Sequence, residues 1–340
     1  MILAVSHRED VHAAPVIEAL SRLGWRCELL DLAALPREVA LSISAGRAAS
    51  GARFVGVDGT LFEAGEIEAV WWRRPRPYLP HDGLASPVAG YASLQLHAAV
   101  SGVWGSLRAG WMNDPWMDER ANHKPIQLAA AEAAGLTVPP TLITCVPADA
   151  RAFLEELGPR AVVQKALRPT EASWQPTRLL READRGRLDD LRFAPVILQA
   201  YVPGLDVRVT AAGGRLFATA IDARQTSSPH DFRPALAQAR VEPCELPEEV
   251  AAGVKALLRT LGLRYAAIDF RLTDEGQWFF LESNPAGQWL FLEERTGQPI
   301  TRGVAQALVD AALEARAGAP SASSSIRRPP AQGETWSHPC

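Results

Sequence analysis

The feature that most constrains the fold is a pair of apolar segments late in the chain that carry polar, oxygen-bearing side chains. Asp269 lies inside the apolar run at residues 265–270, and Glu282 and Asn284 follow the turn-forming residues 273–276. A carboxylate in an apolar strand costs free energy unless it is paired or bound to a metal. If the two segments form a hairpin, Asp269 lies beside Glu282, and Asn284 points to the same face because it is two residues further on.

Two carboxylates and an amide oxygen on one face are hard ligands that suit Mg²⁺, which keeps several waters and takes further ligands from phosphate. The alternative is an edge hairpin whose polar face meets water. The polar segment 284–288 that follows favours the metal site. The sequence therefore predicts an antiparallel hairpin with Asp269, Glu282 and Asn284 as metal ligands.

Length, charge and cysteine spacing restrict the class of protein. A chain of 340 residues exceeds one typical core, so two or three subdomains are expected. The net charge of -4 provides no basic field for nucleic acid. Four widely separated cysteines without a CxxC pair argue against a zinc site or a disulfide framework. Without a signal-peptide pattern or a membrane-length apolar run, we expect a cytoplasmic protein with no membrane partner.

The order of elements predicts an α/β fold. An apolar strand at residues 2–5, a helical pattern at 11–23 and a strand at 26–32 indicate a parallel α/β unit, within an N-terminal domain at residues 1–115. Residues 118–134 are predicted to form one helix. The tail at 318–340 is rich in Ser, Ala, Pro and Gly and is predicted to be disordered.

Lysine is rare, and the few that occur are candidate phosphate contacts. Lys165 lies in an apolar strand, and Lys124 opens a helix. In a chain where most basic residues are arginine, a lysine suggests a contact to phosphate through a single point charge. The alternatives are a strand with one solvated face for Lys165 and an ordinary surface charge for Lys124.

A break in an apolar strand suggests a nucleotide hinge. Residues 196–202 are apolar and end at Pro203-Gly204, so free backbone groups there can bind an adenine edge, and Asp206 follows at a distance suited to ribose hydroxyls. A plain strand and turn is the alternative. The chain has no GxxxxGK[ST] loop and no GxGxxG after its first strand, so other nucleotide folds lose support.

The order of these candidate residues along the chain resembles that of proteins with the ATP-grasp fold, in the glutathione-synthetase-like branch. The closer resemblance is to the microviridin-type peptide maturases, which are also called graspetide ligases. The resemblance covers roughly residues 1–313. The segments that carry it are Trp71-Trp72-Arg73-Arg74-Pro75, Asn113-Asp114-Pro115, Asn122-His123-Lys124, residues 135–141, Asp206-Val207-Arg208, and residues 284–289 with Glu293.

The resemblance implies an N-terminal pre-ATP-grasp α/β domain, a central subdomain at residues 116–203 and a C-terminal subdomain at 204–317, with ATP and Mg²⁺ clasped between the last two. The implied roles are phosphate binding for Lys124 and Lys165; adenine and ribose binding for Gln199, Tyr201, Val202 and Asp206; Mg²⁺ binding for Asp269, Glu282 and Asn284; and contacts to the transferring phosphoryl group for Arg208, Arg224 and Arg233. Arginine suits the last role because its planar fork binds two oxygens at once. Ordinary surface arginine is the alternative, above all for Arg233.

The implied activity is ligation within a ribosomal precursor peptide, made of a leader and a core. An Asp or Glu side chain is activated as an acyl phosphate and joined to a Ser or Thr hydroxyl or a Lys amine, giving ester or amide rings. Arg73 and Arg74 are candidate contacts to acidic peptide residues, with a buried structural role as the alternative. A homodimer is compatible with the resemblance.

Two other functions stay open from the sequence. One is a ligase of free amino acids or short peptides, and the other is a nucleotide-binding protein without turnover. The segment between Lys165 and Gln199 contains Pro169, Trp174 and Pro176 but no glycine-rich loop, so the sequence does not identify the segment that covers the phosphates.

Overall fold

The computed structural model describes residues 1–46, 50–79, 81–167 and 178–318. Pro169, Trp174, Pro176 and the tail beyond residue 318 lie outside the described residues. In the described part of the chain, no helix combines the length and the apolar composition needed to cross a bilayer.

The N-terminal region is built on a parallel sheet, as the strand–helix–strand pattern predicts. Its strands run in the order β2-β1-β6-β7. The elements are β1 (Ile2–Val5), α1 (Ala13–Arg22), β2 (Cys27–Leu30), β6 (Ala69–Trp72), α2 (Ser86–Ser106) and β7 (Gly110–Met112).

An antiparallel sheet of three strands is inserted between β2 and β6. It consists of β3 (Ala40–Ser44), β4 (Gly51–Gly56) and β5 (Gly59–Glu63). The turn Val57-Asp58 joins β4 to β5, since Gly56 pairs with Gly59, the first residue of β5.

The expectation of one helix over residues 118–134 is wrong. Two helices occur there, α3 (Pro115–Ala121) and α4 (Lys124–Ala133), with His123 in an extended conformation between them. Pro125 explains the break, because proline inside a continuous helix clashes with the carbonyl four residues earlier but is tolerated in a first turn. The break places Lys124 at the start of α4.

The central region is an antiparallel sheet in the order β10-β9-β11-β8. Its elements are β8 (Thr141–Thr144), α5 (Pro147–Leu157), β9 (Val162–Lys165), β10 (Arg178–Leu179), α6 (Glu182–Arg185) and β11 (Val196–Ala200). The predicted strands that carry Lys165 and Gln199 are confirmed as β9 and β11, which pair directly.

The C-terminal region contains an antiparallel sheet in the order β14-β13-β12-β15-β16. Its elements are β12 (Leu205–Ala212), β13 (Arg215–Asp222), β14 (Arg240–Pro243), α7 (Glu248–Leu261), β15 (Tyr265–Leu272), β16 (Trp278–Asn284), α8 (Leu290–Thr296) and α9 (Ile300–Arg316). The predicted hairpin of residues 265–284 is present as β15 and β16.

The last helix returns to the start of the chain. Val304 and Leu308 of α9 share a buried core with Ile2 and Val16. Gly110 of β7 permits this close approach, since a Cβ there would lie 2.2 Å from the carbonyl oxygen of Ala311. The N-terminal sheet and the C-terminal region are therefore packed into one body.

Candidate active site

A cleft with an empty volume of about 670 Å³ lies between the central sheet and the C-terminal sheet. It is lined by side chains of β9 and β11 on one side and of β12, β15 and β16 on the other. Many residues singled out from the sequence meet here, namely Lys165, Gln199, Tyr201, Val202, Asp206, Arg233, Asp269 and Glu282.

Two carboxylates lie side by side at the floor of the cleft. Asp269 of β15 is opposite Glu282 of β16, next to a β-bulge between Asp269 and Phe270. Arg208 binds Asp269 through two bonds, Nε to Oδ1 at 2.7 Å and Nη2 to Oδ2 at 2.8 Å. Lys124 Nζ donates to Glu282 Oε2 at 2.7 Å. Each carboxylate is thus bound by a cation from a neighbouring element.

The third predicted ligand, Asn284, ends β16 two residues after Glu282 and is exposed. Its Oδ1 accepts a hydrogen bond from the backbone N–H of Ala286 at 2.9 Å. In the described residues, no cluster of three or more His, Cys, Asp or Glu side chains is arranged to hold a metal. The two adjacent carboxylates with one amide oxygen fit Mg²⁺, which binds through one or two carboxylates and completes its shell with water and phosphate.

The lysines converge on the acidic pair from separate elements. Lys165 Nζ donates to Gln199 Oε1 at 2.9 Å, and burial lowers the pKa of Lys165. The charge of Lys124 holds the pKa of Glu282 below its usual value, with Lys165 and Arg233 adding to the effect. The two carboxylates are therefore surrounded by a larger number of cationic side chains. This combination suits a polyphosphate to which a metal ion is bound.

A hydrogen-bonded group at the hinge includes residues that the sequence patterns missed. Arg271 donates from Nε to the Val202 carbonyl at 2.9 Å and from Nη2 to the Tyr201 hydroxyl at 3.0 Å, and its Nη1 lies 2.9 Å from Asp206 Oδ1. His230 Nδ1 lies 3.1 Å from the Tyr201 hydroxyl. Arg271 could have been found from the sequence, because it is a charged residue in an apolar strand, two positions after Asp269. Nothing in the sequence near His230 indicates a role for it.

The three predicted phosphoryl-contacting arginines occupy different places. Arg208 binds Asp269, as described above. Arg233 lines the cleft and binds the buried Asp231, which raises the pKa of Arg233. Arg224 is exposed, binds Asp222 and Asp274, and is not among the residues that line the cleft. The structure brings Arg208 and Arg233 to the site and leaves Arg224 outside it.

The loop that follows β16 is held by side chains from distant parts of the chain. Asn113 Nδ2 lies 3.4 Å from the Pro285 carbonyl, and Arg73 Nη1 donates to the carbonyls of Ala286 at 2.6 Å and Gly287 at 2.9 Å. The Tyr265 hydroxyl also donates to the Gly287 carbonyl at 2.8 Å, and Arg208 Nη1 reaches the Gln288 carbonyl at 3.4 Å. We call residues 284–289 the carbonyl loop.

His12 fixes the end of the carbonyl loop. Its Nε2 accepts a hydrogen bond from the backbone N–H of Trp289 at 3.2 Å, and its Nδ1 lies 3.2 Å from Asp10 Oδ1. Burial lowers the pKa of His12, in agreement with a neutral ring that accepts at Nε2. The N-terminal region therefore positions the loop next to the candidate metal ligands.

Arg73 and Arg74 differ in their surroundings. Arg73 is only 1% exposed and lies over the Trp289 ring, 4.9 Å from its centroid, with Asp10 at 3.4 Å. This position corrects the expectation that Arg73 meets a peptide and fits the structural alternative, because its guanidinium is enclosed by the carbonyl loop. Arg74 is half-buried.

Two comparisons find similarity to known proteins. A family model matches the N-terminal region, and solved structures match the fold of nearly the whole chain. Residues 1–120 match the MvdD pre-ATP grasp domain family. No curated protein matches the sequence significantly.

Several solved structures share the fold over nearly their whole length. Macrocyclase MdnC of Microcystis aeruginosa MRC, bound with precursor peptide MdnA, is 28% identical with a TM-score of 0.79, covering 91% of this chain and 99% of that one. The ligase PsnB, complexed with a variant of minimal precursor, Mg and ADP, is 26% identical with a TM-score of 0.74, covering 92% and 98%. A Chryseobacterium gregarium RiPP-associated ATP-grasp ligase, at 23% identity and a TM-score of 0.82 over 94% and 98%, shares the fold.

These likenesses agree with the geometry of the cleft. The pre-ATP-grasp match falls on the parallel sheet, and the antiparallel sheets that enclose the cleft follow it in the chain. The chain is therefore an ATP-dependent ligase of the ATP-grasp type that resembles the microviridin-type (graspetide) ligases.

Proposed function

We propose that this ligase uses ATP and Mg²⁺ to cross-link side chains of a ribosomal precursor peptide. An Asp or Glu side chain of the peptide core becomes an acyl phosphate and is then joined to a Ser or Thr hydroxyl or a Lys amine. The observation that carries the proposal is the acidic pair Asp269 and Glu282 in the cleft between two sheets. Arg208 and Lys124 bind the two carboxylates, and Lys165 and Arg233 line the same cleft.

The nucleotide is assigned to the cleft with its base at the hinge. Gln199, Tyr201 and Val202 border the adenine, and Asp206 accepts hydrogen bonds from the ribose. The Val202 carbonyl and the Asp206 carboxylate are both bound by Arg271, so this arginine keeps the hinge in position. The phosphates then extend toward Lys165 and the acidic pair.

The first chemical step transfers the γ-phosphoryl group to the peptide carboxylate. A carboxylate oxygen forms a bond to phosphorus, the bond from phosphorus to the β–γ bridging oxygen breaks, and ADP leaves. Asp269, Glu282 and Asn284 would hold Mg²⁺, which would supply charge neutralisation and orientation of the phosphates. The protein cations Lys124, Lys165 and Arg233 provide fixed positive charge toward the same oxygens, which is the main protein contribution in phosphoryl transfer.

The second step is acyl transfer. The hydroxyl or amine of the peptide attacks the acyl carbon, and the bond from this carbon to the phosphate oxygen breaks. Phosphate leaves with the bonding electrons and takes up the proton that the nucleophile loses. Water must stay out of the cleft because it competes for the acyl phosphate. Whether the ring is an ester or an amide depends on the nucleophile that the peptide offers.

The substrate assignment draws support from relatives. MdnC was solved with precursor peptide MdnA, and PsnB with minimal precursor. Both align over more than nine-tenths of this chain. We therefore assign a leader-bearing precursor peptide as the partner, and Arg74 as a candidate contact to its acidic residues.

The test is ADP release with different acceptors. With Mg²⁺ and ATP, release should require the precursor peptide encoded beside the gene and should vanish when the core Asp and Glu residues of that peptide become Asn and Gln. Glu282→Gln should abolish it, and the matched control Glu275→Gln, an exposed carboxylate in the turn of the same hairpin, should not. Release with free amino acids would favour an amino-acid ligase, and tight nucleotide binding without release would favour a silent nucleotide binder.

A further inference from the structure

The segment that carries Arg233 joins β13 to β14 and borders the cleft. It consists of residues 223–239, and we call it the Arg233 segment. Four consecutive residues of this segment, 230–233, line the cleft. The segment is fixed to the C-terminal region, because Phe232 is buried in the core that contains Trp289, and Arg295 Nη1 donates to the Ala239 carbonyl at 3.1 Å. The position of Arg233 at the cleft therefore depends on how this segment is held.

His230 connects the Arg233 segment to the opposite wall of the cleft. Its Nδ1 lies 3.1 Å from the hydroxyl of Tyr201, and the two rings meet edge to face, with their centroids 5.0 Å apart and an angle of 90° between their planes. Tyr201 directly follows β11 of the central sheet, and its backbone N–H donates to the Ala161 carbonyl at 2.8 Å. The contact therefore joins a segment of the C-terminal region to the hinge.

The hydroxyl of Tyr201 has two partners of different chemistry. Arg271 has only donors, so the hydroxyl oxygen accepts from its Nη2 at 3.0 Å. The hydroxyl hydrogen is then available to Nδ1 of a neutral His230 ring. Because Arg271 also binds the Val202 carbonyl and lies 2.9 Å from Asp206 Oδ1, His230 is linked to the backbone and to the carboxylate of the hinge.

A short connection leads from His230 to the guanidinium of Arg233. Asp231 follows His230 in the chain and is buried. Its carboxylate accepts from the backbone N–H of Arg233 at 3.1 Å and from the side-chain Nε and Nη2 of the same residue at 2.7 and 2.6 Å. A continuous series of contacts therefore runs from the hinge to Arg233 by way of Tyr201, His230 and Asp231.

We propose that His230 is a positioning residue that couples occupancy of the adenine hinge to the placement of Arg233. This inference rests on the nucleotide site proposed above. ATP has its base at one end of the series of contacts and its γ-phosphate at the other, so the contact between His230 and Tyr201 sets the separation of the groups that hold the two ends. Precise placement matters for the rate, because a displacement of about 1 Å can slow a reaction about 100-fold.

ADP separates the coupling from a direct contact, since it fills the hinge but has no γ-phosphate for Arg233 to bind. Amide hydrogen exchange of the Arg233 segment, measured with and without MgADP, reports how firmly the segment is held. MgADP should slow this exchange in the unmodified protein. His230→Ala and Tyr201→Phe should remove the protection, while the Kd of MgADP changes by about fivefold or less, as expected for one neutral hydrogen bond. His230→Asn should keep the protection, because its amide places a polar atom close to the position of Nδ1.

The same variants give a prediction on the rate. His230→Ala and Tyr201→Phe should each lower the kcat of peptide-dependent ADP release about tenfold, as expected for a displacement smaller than 1 Å. The double variant should be no slower than either single variant, because both substitutions remove the same contact.

His97→Ala is the matched control for these variants. The His97 ring also lies against a tyrosine ring, that of Tyr78, with their centroids 6.2 Å apart, but neither residue lines the cleft. This variant should keep both the protection by MgADP and the rate of ADP release.

Specific outcomes would overturn the proposal. Protection that persists in His230→Ala, or losses of rate that add in the double variant, would show that His230 does not act through Tyr201. A Kd of MgADP raised by much more than about fivefold, with an unchanged kcat, would make His230 a direct nucleotide contact instead. Failure of the unmodified protein to bind MgADP would contradict the proposed function and this inference with it, whereas binding without protection of the segment would contradict the inference alone.

Discussion

The ion pair between Arg208 and Asp269 sets the charge of the acidic floor. Burial lowers the pKa of Arg208, but the adjacent carboxylate of Asp269 raises it by more. The pKa of Arg208 therefore lies above its usual value. The two hydrogen bonds at 2.7 and 2.8 Å use the planar fork of arginine, which lysine cannot reproduce. Arg208 therefore carries a fixed positive charge beside a candidate metal ligand.

Arg208→Lys should lower the rate of peptide-dependent ADP release by about 100-fold, as is usual for loss of one oriented hydrogen-bond donor at a developing anion. The charge next to Asp269 is kept, so the thermal midpoint should change little. Arg224→Lys is the matched control, since Arg224 is exposed and lies outside the cleft. Equal losses in both variants would contradict the different roles that we assign to the two arginines.

The hinge carboxyl provides a prediction on pH. Burial raises the pKa of Asp206 to about 6, against the opposing charge of Arg271. Below this pH the carboxyl is protonated and neutral, and above it the ionised group accepts stronger hydrogen bonds from ribose hydroxyls. Nucleotide affinity should therefore rise as the pH increases through this range.

The dissociation constant of MgADP, measured by calorimetry from about pH 5 to about pH 7, should fall about tenfold more in the unmodified protein than in Asp206→Asn. The comparison between the two proteins removes the titration of the nucleotide itself. Identical pH profiles would exclude Asp206 as the ribose acceptor.

At the scale of elements, the carbonyl loop connects the N-terminal region to the end of β16. Arg73 and Asn113 come from the ends of β6 and β7, and the parallel order of these strands places both ends at the same edge of the sheet. Two further groups, Tyr265 and Arg208, come from the C-terminal sheet. The carbonyl loop is thus held by side chains of the N-terminal sheet and of the C-terminal sheet.

Arg73→Met should raise the Mg²⁺ concentration needed for half-maximal ADP release by about tenfold, as expected when residues that orient metal ligands are lost. The carbonyls of Ala286 and Gly287 would lose their shared donor. Arg74→Met, at the neighbouring half-buried position, should leave the Mg²⁺ requirement unchanged. If Arg73→Met instead raised only the KM for the peptide, a direct peptide contact would replace the positioning role.

The sequence predicts those parts of the site that depend on local spacing. Asp269 and Glu282 could be paired because a short turn fixes the register of their hairpin, and Lys165 and Gln199 could be placed on strands because apolar runs surround them. Arg271, His230 and His12 could not be assigned roles, since their partners are far away in the chain. The break before Lys124 was missed although Pro125 signals it.

At the scale of the whole molecule, the chain closes on itself. Helix α9 packs into the core of the N-terminal sheet, and Arg316 near its end forms an ion pair with Glu68. The N-terminal sheet therefore contacts both the carbonyl loop and the last helix. The cleft that we propose for the nucleotide lies between the central and C-terminal sheets, apart from these contacts.

The most direct test of the account is the intact mass of the precursor peptide after incubation with this protein, ATP and Mg²⁺. We predict the loss of one water per ring, and no loss with the double variant Asp269→Asn and Glu282→Gln, provided that circular dichroism shows it to be folded. Water loss that persists in the folded double variant would contradict the assignment of the acidic pair. An unchanged peptide mass with the unmodified protein would contradict the cross-linking activity itself.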